Sequence, residues 1–177
     1  MEAVSISGLQ GTGKTTLARA LGIAMDAAVF SRDPIMDVLQ AGGVPMEPDA
    51  ESRIKSYPEL GYDLLTALLR TQLELGHAVV LECVVEPKVR EQWKQVAEGA
   101  GSHFWIVDTI CSDPEIHRER FQNRGRTRRG DWCLPWETVE RYRTGFQPHP
   151  QAAYVADAVR PVGENVAAIL RIVEGTI

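Results

Sequence analysis

Cysteine is scarce in this 177-residue chain and forms no pattern. Cys83, Cys111 and Cys133 include no pair at metal-ligand spacing, and an odd, sparse count fits a reducing cytoplasm better than a disulfide framework. Cys83 and Cys111 lie in or beside apolar runs, as core thiols do, and Cys133 lies in a polar loop. The four histidines, His77, His103, His117 and His149, are scattered without ligand spacing and read as structural. Positive charge is not in excess either. The chain has 19 Lys and Arg against 24 Asp and Glu, a net charge of −5, which argues against a nonspecific nucleic-acid binder. Long apolar runs are missing, so no segment approaches the length of a membrane span. The chain starts almost directly with an apolar strand, which leaves no room for a signal peptide, and a cytoplasmic protein is the expectation. No repeat and no linker divides the sequence, and its length suits one domain over residues 1–177.

What the sequence does contain is Gly8-Leu9-Gln10-Gly11-Thr12-Gly13-Lys14-Thr15-Thr16, a full match to G-x-x-x-x-G-K-[ST]. An apolar run, Ala3 to Ser7, precedes it and reads as a buried strand. Leu17 to Met25 follows it with Leu17, Leu21 and Ala24 at helical spacing. A glycine-rich turn arising by chance would not need both flanks. The glycines let successive N–H groups converge on one anion, and the helix start adds partial positive charge there. Lys14 brings a full charge to the β- and γ-phosphates, and the Thr15 hydroxyl is placed to ligate Mg²⁺. The expected ligand is a nucleoside triphosphate, with Gly8, Gln10, Gly11, Thr12, Gly13, Lys14, Thr15 and Thr16 forming its phosphate site.

Further on, strands alternate with helices. Ala27 to Phe30 reads as a strand, Pro34 to Gln40 as a helix with Asp33 as a candidate N-cap, and Gly42 to Pro48 as a loop. Tyr57-Pro58 interrupts a helical stretch that resumes from Tyr62 to Leu75. Ala78 to Val84 is nearly continuous in apolar residues, as a central strand is. A helix follows over Pro87 to Glu98, then a strand over Phe104 to Val107. Asp113-Pro114-Glu115 opens a helix running to about Asn123. Another helix spans Pro135 to Arg143, a last strand lies around Asp157, and a closing helix covers Glu164 to Ile172. This order predicts one α/β domain, a parallel sheet of about five strands flanked by helices, with its ligand at the strand carboxyl ends.

Several other residues are placed for chemistry. Asp33 follows the second strand, where a carboxylate accepts or orients the proton of an attacking hydroxyl, unless it only caps the next helix. Arg32 beside it either pairs with an anionic part of a substrate or is solvated. Glu82 interrupts an apolar strand near its carboxyl end; a buried acid wants a cation or hydrogen-bond donors. It is a candidate to hold Mg²⁺ through water, to touch the substrate, or to make a structural hydrogen bond. Arg118, Arg120, Arg124, Arg126, Arg128 and Arg129 crowd one helix end and one loop. Guanidinium groups suit phosphate oxygens, and Arg120 and Arg124 share a helix face. Such a run is otherwise a solvated surface. No N-K-x-D guanine-reading motif follows the phosphate loop, which favours ATP over GTP.

These parts together resemble the small P-loop kinases, a group that includes nucleoside monophosphate, shikimate and gluconate kinases, chloramphenicol phosphotransferase and the kinase domain of polynucleotide kinase. The last two look most similar. The resemblance spans nearly the whole chain and rests on the phosphate loop, Asp33, Val79-Val80-Leu81-Glu82, Asp113-Pro114-Glu115 and Arg118 to Arg124. It implies an ATP- and Mg²⁺-dependent phosphotransferase with Asp33 as base for the acceptor hydroxyl. Arg120 and Arg124 would then reach ATP phosphates from an Arg-rich lid at about 124–134, and the segment around Arg160 would approach adenine. Where the polynucleotide kinase pattern has an arginine three residues after its Asp, this chain has Met36, so a small-molecule alcohol is favoured over nucleic acid as acceptor. The competing expectations are a nucleotide or polynucleotide kinase and a nucleotide-binding switch. The sequence sets no oligomeric state.

Overall fold

In the computed structural model, residues 1–48, 55–125 and 134–175 are described. Five strands, β1 (Glu2–Gly8), β2 (Ala28–Ser31), β3 (Val79–Glu82), β4 (His103–Ile110) and β5 (Tyr154–Asp157), form one sheet in the order β2-β3-β1-β4-β5. Every pairing is parallel. The helices are α1 (Lys14–Met25), α2 (Arg32–Ala41), α3 (Tyr57–Glu74), α4 (Pro87–Gly99), α5 (Pro114–Gly125), α6 (Trp136–Gly145) and α7 (Val162–Val173). The expected α/β domain with a central parallel sheet is what forms. None of the described helices is long and apolar enough to cross a membrane.

The period of two along each strand sends alternate side chains to opposite faces. Val79 and Leu81 of β3 pack with Leu65, Leu69 and Leu73 of α3 and with Trp93 and Ala97 of α4. Val80, between them, turns to the other face and packs with Leu17, Ala18 and Leu21 of α1, Val166 and Ile169 of α7, and Val4 and Ile6 of β1. With both faces covered, strand carboxyl ends become the open edge. β1 is central in the sheet, with β3 on one side and β4 on the other, and its loop emerges at that edge, in the crevice where open α/β sheets bind ligands.

Several boundaries differ from the sequence reading, and three of the differences have a local reason. Pro58 does not interrupt a helix but opens one: Ser56 is the N-cap of α3, Pro58 sits in its first turn, and Ser56 and Glu59 form a reciprocal capping box. β4 runs past Val107 through Asp108 and Thr109 because both are paired where they are buried. Asp108 forms an ion pair with Arg90 at 3.2 Å and accepts from the His149 N–H at 2.6 Å, while Thr109 Oγ1 donates to the Ser7 carbonyl. α2 begins at Arg32 with Ser31 as its N-cap. Asp33 therefore lies inside the first turn, and its reading as the cap of a helix starting at Pro34 is corrected. Cys83 and Cys111 are buried free thiols, as expected.

Candidate active site

The loop between β1 and α1 folds as its glycines require. Gly13 is the N-cap of α1 in the left-handed region, φ 77°, and no side chain caps that helix end. Gly8 abuts β4 so closely that a Cβ would stand 2.3 Å from the Thr109 carbonyl oxygen. Thr12 is buried, its hydroxyl bonded to the Leu9 carbonyl at 2.7 Å and to Thr109 Oγ1 at 2.6 Å. Lys14 is also buried, and its Nζ donates back to the Leu9 carbonyl at 2.9 Å, so the ammonium curls over the loop.

A cavity of about 760 Å³ opens on this loop. Gly11, Thr12, Gly13, Lys14, Thr15 and Thr16 wall one side, and Arg120, Arg160, Pro161 and Val162 stand among the residues of the other. Arg120 reaches it from α5 with Nη1 donating to the Ala158 carbonyl at 2.8 Å. The volume suits a nucleotide-sized ligand. Of the expected phosphate-site residues, Gly8 and Gln10 are not cavity walls. Gly8 packs on β4, and the Gln10 carbonyl turns toward α5, where His117 Nε2 lies 2.6 Å away.

Glu82 ends β3 with almost no exposure. Its Oε2 accepts from Ser31 Oγ at 2.7 Å and from Thr15 Oγ1 at 3.2 Å, while its buried Oε1 has no hydrogen-bond partner. The register explains the meeting, since β2 pairs with β3 so that Ser31 lies beside Glu82. Ser31 spends its hydroxyl on Glu82 and makes no cap bond to α2. A carboxylate touching the phosphate-loop hydroxyl, with a second oxygen still to be satisfied, is a suitable donor set for a hard divalent cation that keeps most of its ligands as water and phosphate. No cluster of three or more His, Cys, Asp or Glu is found among the described residues, and such a cation does not need one.

Asp33 and Arg32 follow Ser31 at the same sheet edge, half-buried. The Arg32 guanidinium lies over the Tyr62 ring at 3.9 Å from its centroid, and the Tyr62 hydroxyl donates to the Val84 carbonyl at 2.8 Å. Burial pushes the Tyr62 hydroxyl up to about 12, so it stays a neutral donor. Arg32 is thus held over an aromatic face rather than freely solvated. Asp33, Arg32 and Glu82 lie outside the walls of the large cavity.

The structure brings together Lys14, Thr15, Arg120 and Arg160, residues far apart in sequence, and links Thr15 to Glu82. The backbone at Arg124 continues α5, but its side chain lies outside the described residues, as do Arg126, Arg128, Arg129 and most of the expected lid. Two residues that the sequence reading passed over, Ser31 and Thr109, also join the site, and so does His117, which it read as structural. His117 had one available signal, its place three residues before Arg120 on the same helical face.

A β-strand, a glycine-rich loop, a helix and a strand-end acid arranged in this way define the P-loop NTPase fold. Within it, the chain belongs to an AAA-domain family whose profile matches residues 4–149. Among solved structures it is similar to a gluconokinase from Sinorhizobium meliloti 1021, with 17% identity, a TM-score of 0.63 and coverage of 99% of this chain and 95% of that one. It is similar to the Mycobacterium tuberculosis APS kinase CysC in complex with AMPPNP and APS, with 16% identity, a TM-score of 0.66 and coverage of 98% and 97%. It is also similar to the shikimate kinase of Aquifex aeolicus, with 16% identity, a TM-score of 0.59 and coverage of 98% and 97%. At such identities the likeness is one of fold. A comparison with curated protein sequences finds no match.

Proposed function

We propose that this protein is an ATP-dependent kinase that transfers the γ-phosphate to a hydroxyl of a small molecule, such as an antibiotic, a nucleoside or another metabolite. The observation that carries the reading is the joining of Thr15 to Glu82 beside a phosphate loop whose helix start has no side-chain cap. Structures of small-molecule kinases with the same fold support it: gluconokinase, APS kinase with AMPPNP, and shikimate kinase. In this reading Lys14 and the loop amides neutralise the β- and γ-phosphates, and Arg120 and Arg124 stabilise charge on the transferring group. Thr15 and Glu82 would hold Mg²⁺, which supplies charge neutralisation across the phosphates. Asp33 orients the acceptor hydroxyl and takes its proton. Residues 124–134 act as an Arg-rich lid of a single domain, and Arg160 borders the base.

Buried Met36, 2% exposed, occupies the position where a polynucleotide kinase would carry an arginine, which favours a small acceptor. The test is ATP consumption, with phosphorylated product identified, across a panel of alcohols, nucleosides and nucleotides. Turnover with a small alcohol is the expected result. Turnover restricted to nucleic-acid 5′ ends replaces the acceptor. Tight ATP binding without transfer to anything overturns the kinase reading in favour of a switch.

A further inference from the structure

We infer that His117 is a positioning residue for phosphoryl transfer, holding the phosphate loop and the Arg120 helix in one arrangement; this rests on the kinase reading above. His117 is fully buried on α5, and its Nε2 lies 2.6 Å from the Gln10 carbonyl oxygen. A carbonyl only accepts, so Nε2 carries the proton and donates. Nδ1 is then the bare nitrogen, and it is buried without a partner. The ring plane is fixed from the side by Trp136, edge-on at 5.3 Å, and Trp136 is itself packed on Phe121 at 5.4 Å. The loop meets the ring at close range, since a Cβ on Gly11 would stand 2.9 Å from His117 Cδ2. The imidazole therefore fills the space behind the loop and fastens its backbone at Gln10.

The same helix carries Arg120 three residues on, which reaches the phosphate cavity. A histidine that grips the loop and sits one turn from an arginine over the phosphates sets the distance between the two. Transfer depends on such preorganisation, and a shift of about 1 Å in a positioned group costs on the order of 100-fold in rate. The neutral ring is favoured by its surroundings. Burial lowers its pKa below the ordinary 6.5, the charges of Arg143, Lys14 and Arg120 push the same way, and the bond to Gln10 opposes them. The unfolded chain then binds the proton more readily. The contribution of neutral His117 to stability is full above pH 6.5 and is lost as the pH falls below it.

The experiment compares His117→Leu and His117→Gln with wild type for Mg-ATP binding by calorimetry, for turnover, and for stability between pH 7.5 and pH 5. A glutamine amide reaches the Gln10 carbonyl as Nε2 does, and leucine offers no donor. His117→Leu removes a bond within the protein rather than one to the nucleotide, so it is expected to weaken Mg-ATP by up to about tenfold and to lower kcat further than it raises KM. His117→Gln is expected to recover affinity to within about threefold and to flatten the stability loss below pH 6.5. Should His117→Leu fail to fold, His117→Phe, which keeps a ring against Trp136, takes its place. A folded leucine or phenylalanine variant that binds and turns over as wild type overturns the inference while leaving the kinase reading intact. A folded wild-type protein that does not bind Mg-ATP overturns both.

Discussion

Two helix starts in this molecule are built in opposite ways. At α3, Ser56 accepts from the Glu59 N–H and Glu59 accepts from the Ser56 N–H at 3.0 Å, so the end is closed by its own residues. At α1, the cap is Gly13 with no side chain to offer, and the preceding loop turns its surface to a cavity of about 760 Å³. The first four N–H groups of any helix need partners from outside the helix. α3 meets part of that need within the chain and gains stability. α1 makes no side-chain cap bond of its own, and in the proposed reading an anion meets that need, with Lys14 and the Thr15–Glu82 pair beside it. The lesson is that an uncapped end signals a ligand only when charge and a cavity converge on it.

The largest break in this contrast is Lys14→Ala. Removing a charge-assisted donor is expected to weaken Mg-ATP roughly 10- to 100-fold and to lower transfer by about 100-fold or more at saturation; calorimetry and steady-state kinetics check the two separately. Glu82→Gln is the next in size. The amide oxygen still accepts from Ser31 and Thr15, but the negative charge is gone, so the Mg²⁺ concentration for half-maximal turnover should rise roughly tenfold or more at little cost in folding. The smallest effect is expected at the closed end. Ser56→Ala should cost about 1 kcal/mol of stability in urea unfolding and leave nucleotide affinity unchanged, which is the mirror image of Lys14→Ala.

The legible parts of this molecule are those whose signal is local. The phosphate loop, Lys14 and Thr15 are written in nine consecutive residues, and strand β3 announces itself by apolar continuity. Glu82 could be read as a buried acid wanting a partner, but not which one, because Ser31 meets it only through the pairing of β2 with β3. Asp33 lies at the expected sheet edge, but in the first turn of α2 rather than at its cap, because the helix starts directly where β2 ends, with Ser31 at the cap position. Thr109 and His117 were hidden as the partner of Glu82 was. Thr109 extends β4 past its apolar part, and His117 meets Gln10 across 107 residues of sequence. No periodicity encodes a contact of that range.

The central claim is that the open helix end binds phosphate while the neighbouring acid carries the chemistry, and Asp33→Asn tests it most directly. Asparagine is nearly the same size as aspartate, and Asp33 lies in the first turn of α2 rather than at its cap position, so folding and Mg-ATP affinity should barely change. Asparagine cannot take the proton of the acceptor hydroxyl, and losing a positioned base costs roughly 10²- to 10⁴-fold in rate. With the acceptor identified from the alcohol panel, the account predicts Mg-ATP binding like wild type, a similar KM for the acceptor, and a kcat lowered by roughly that factor. An Asp33→Asn protein that transfers phosphate at close to the wild-type rate would contradict it and move the search for the base to Glu82.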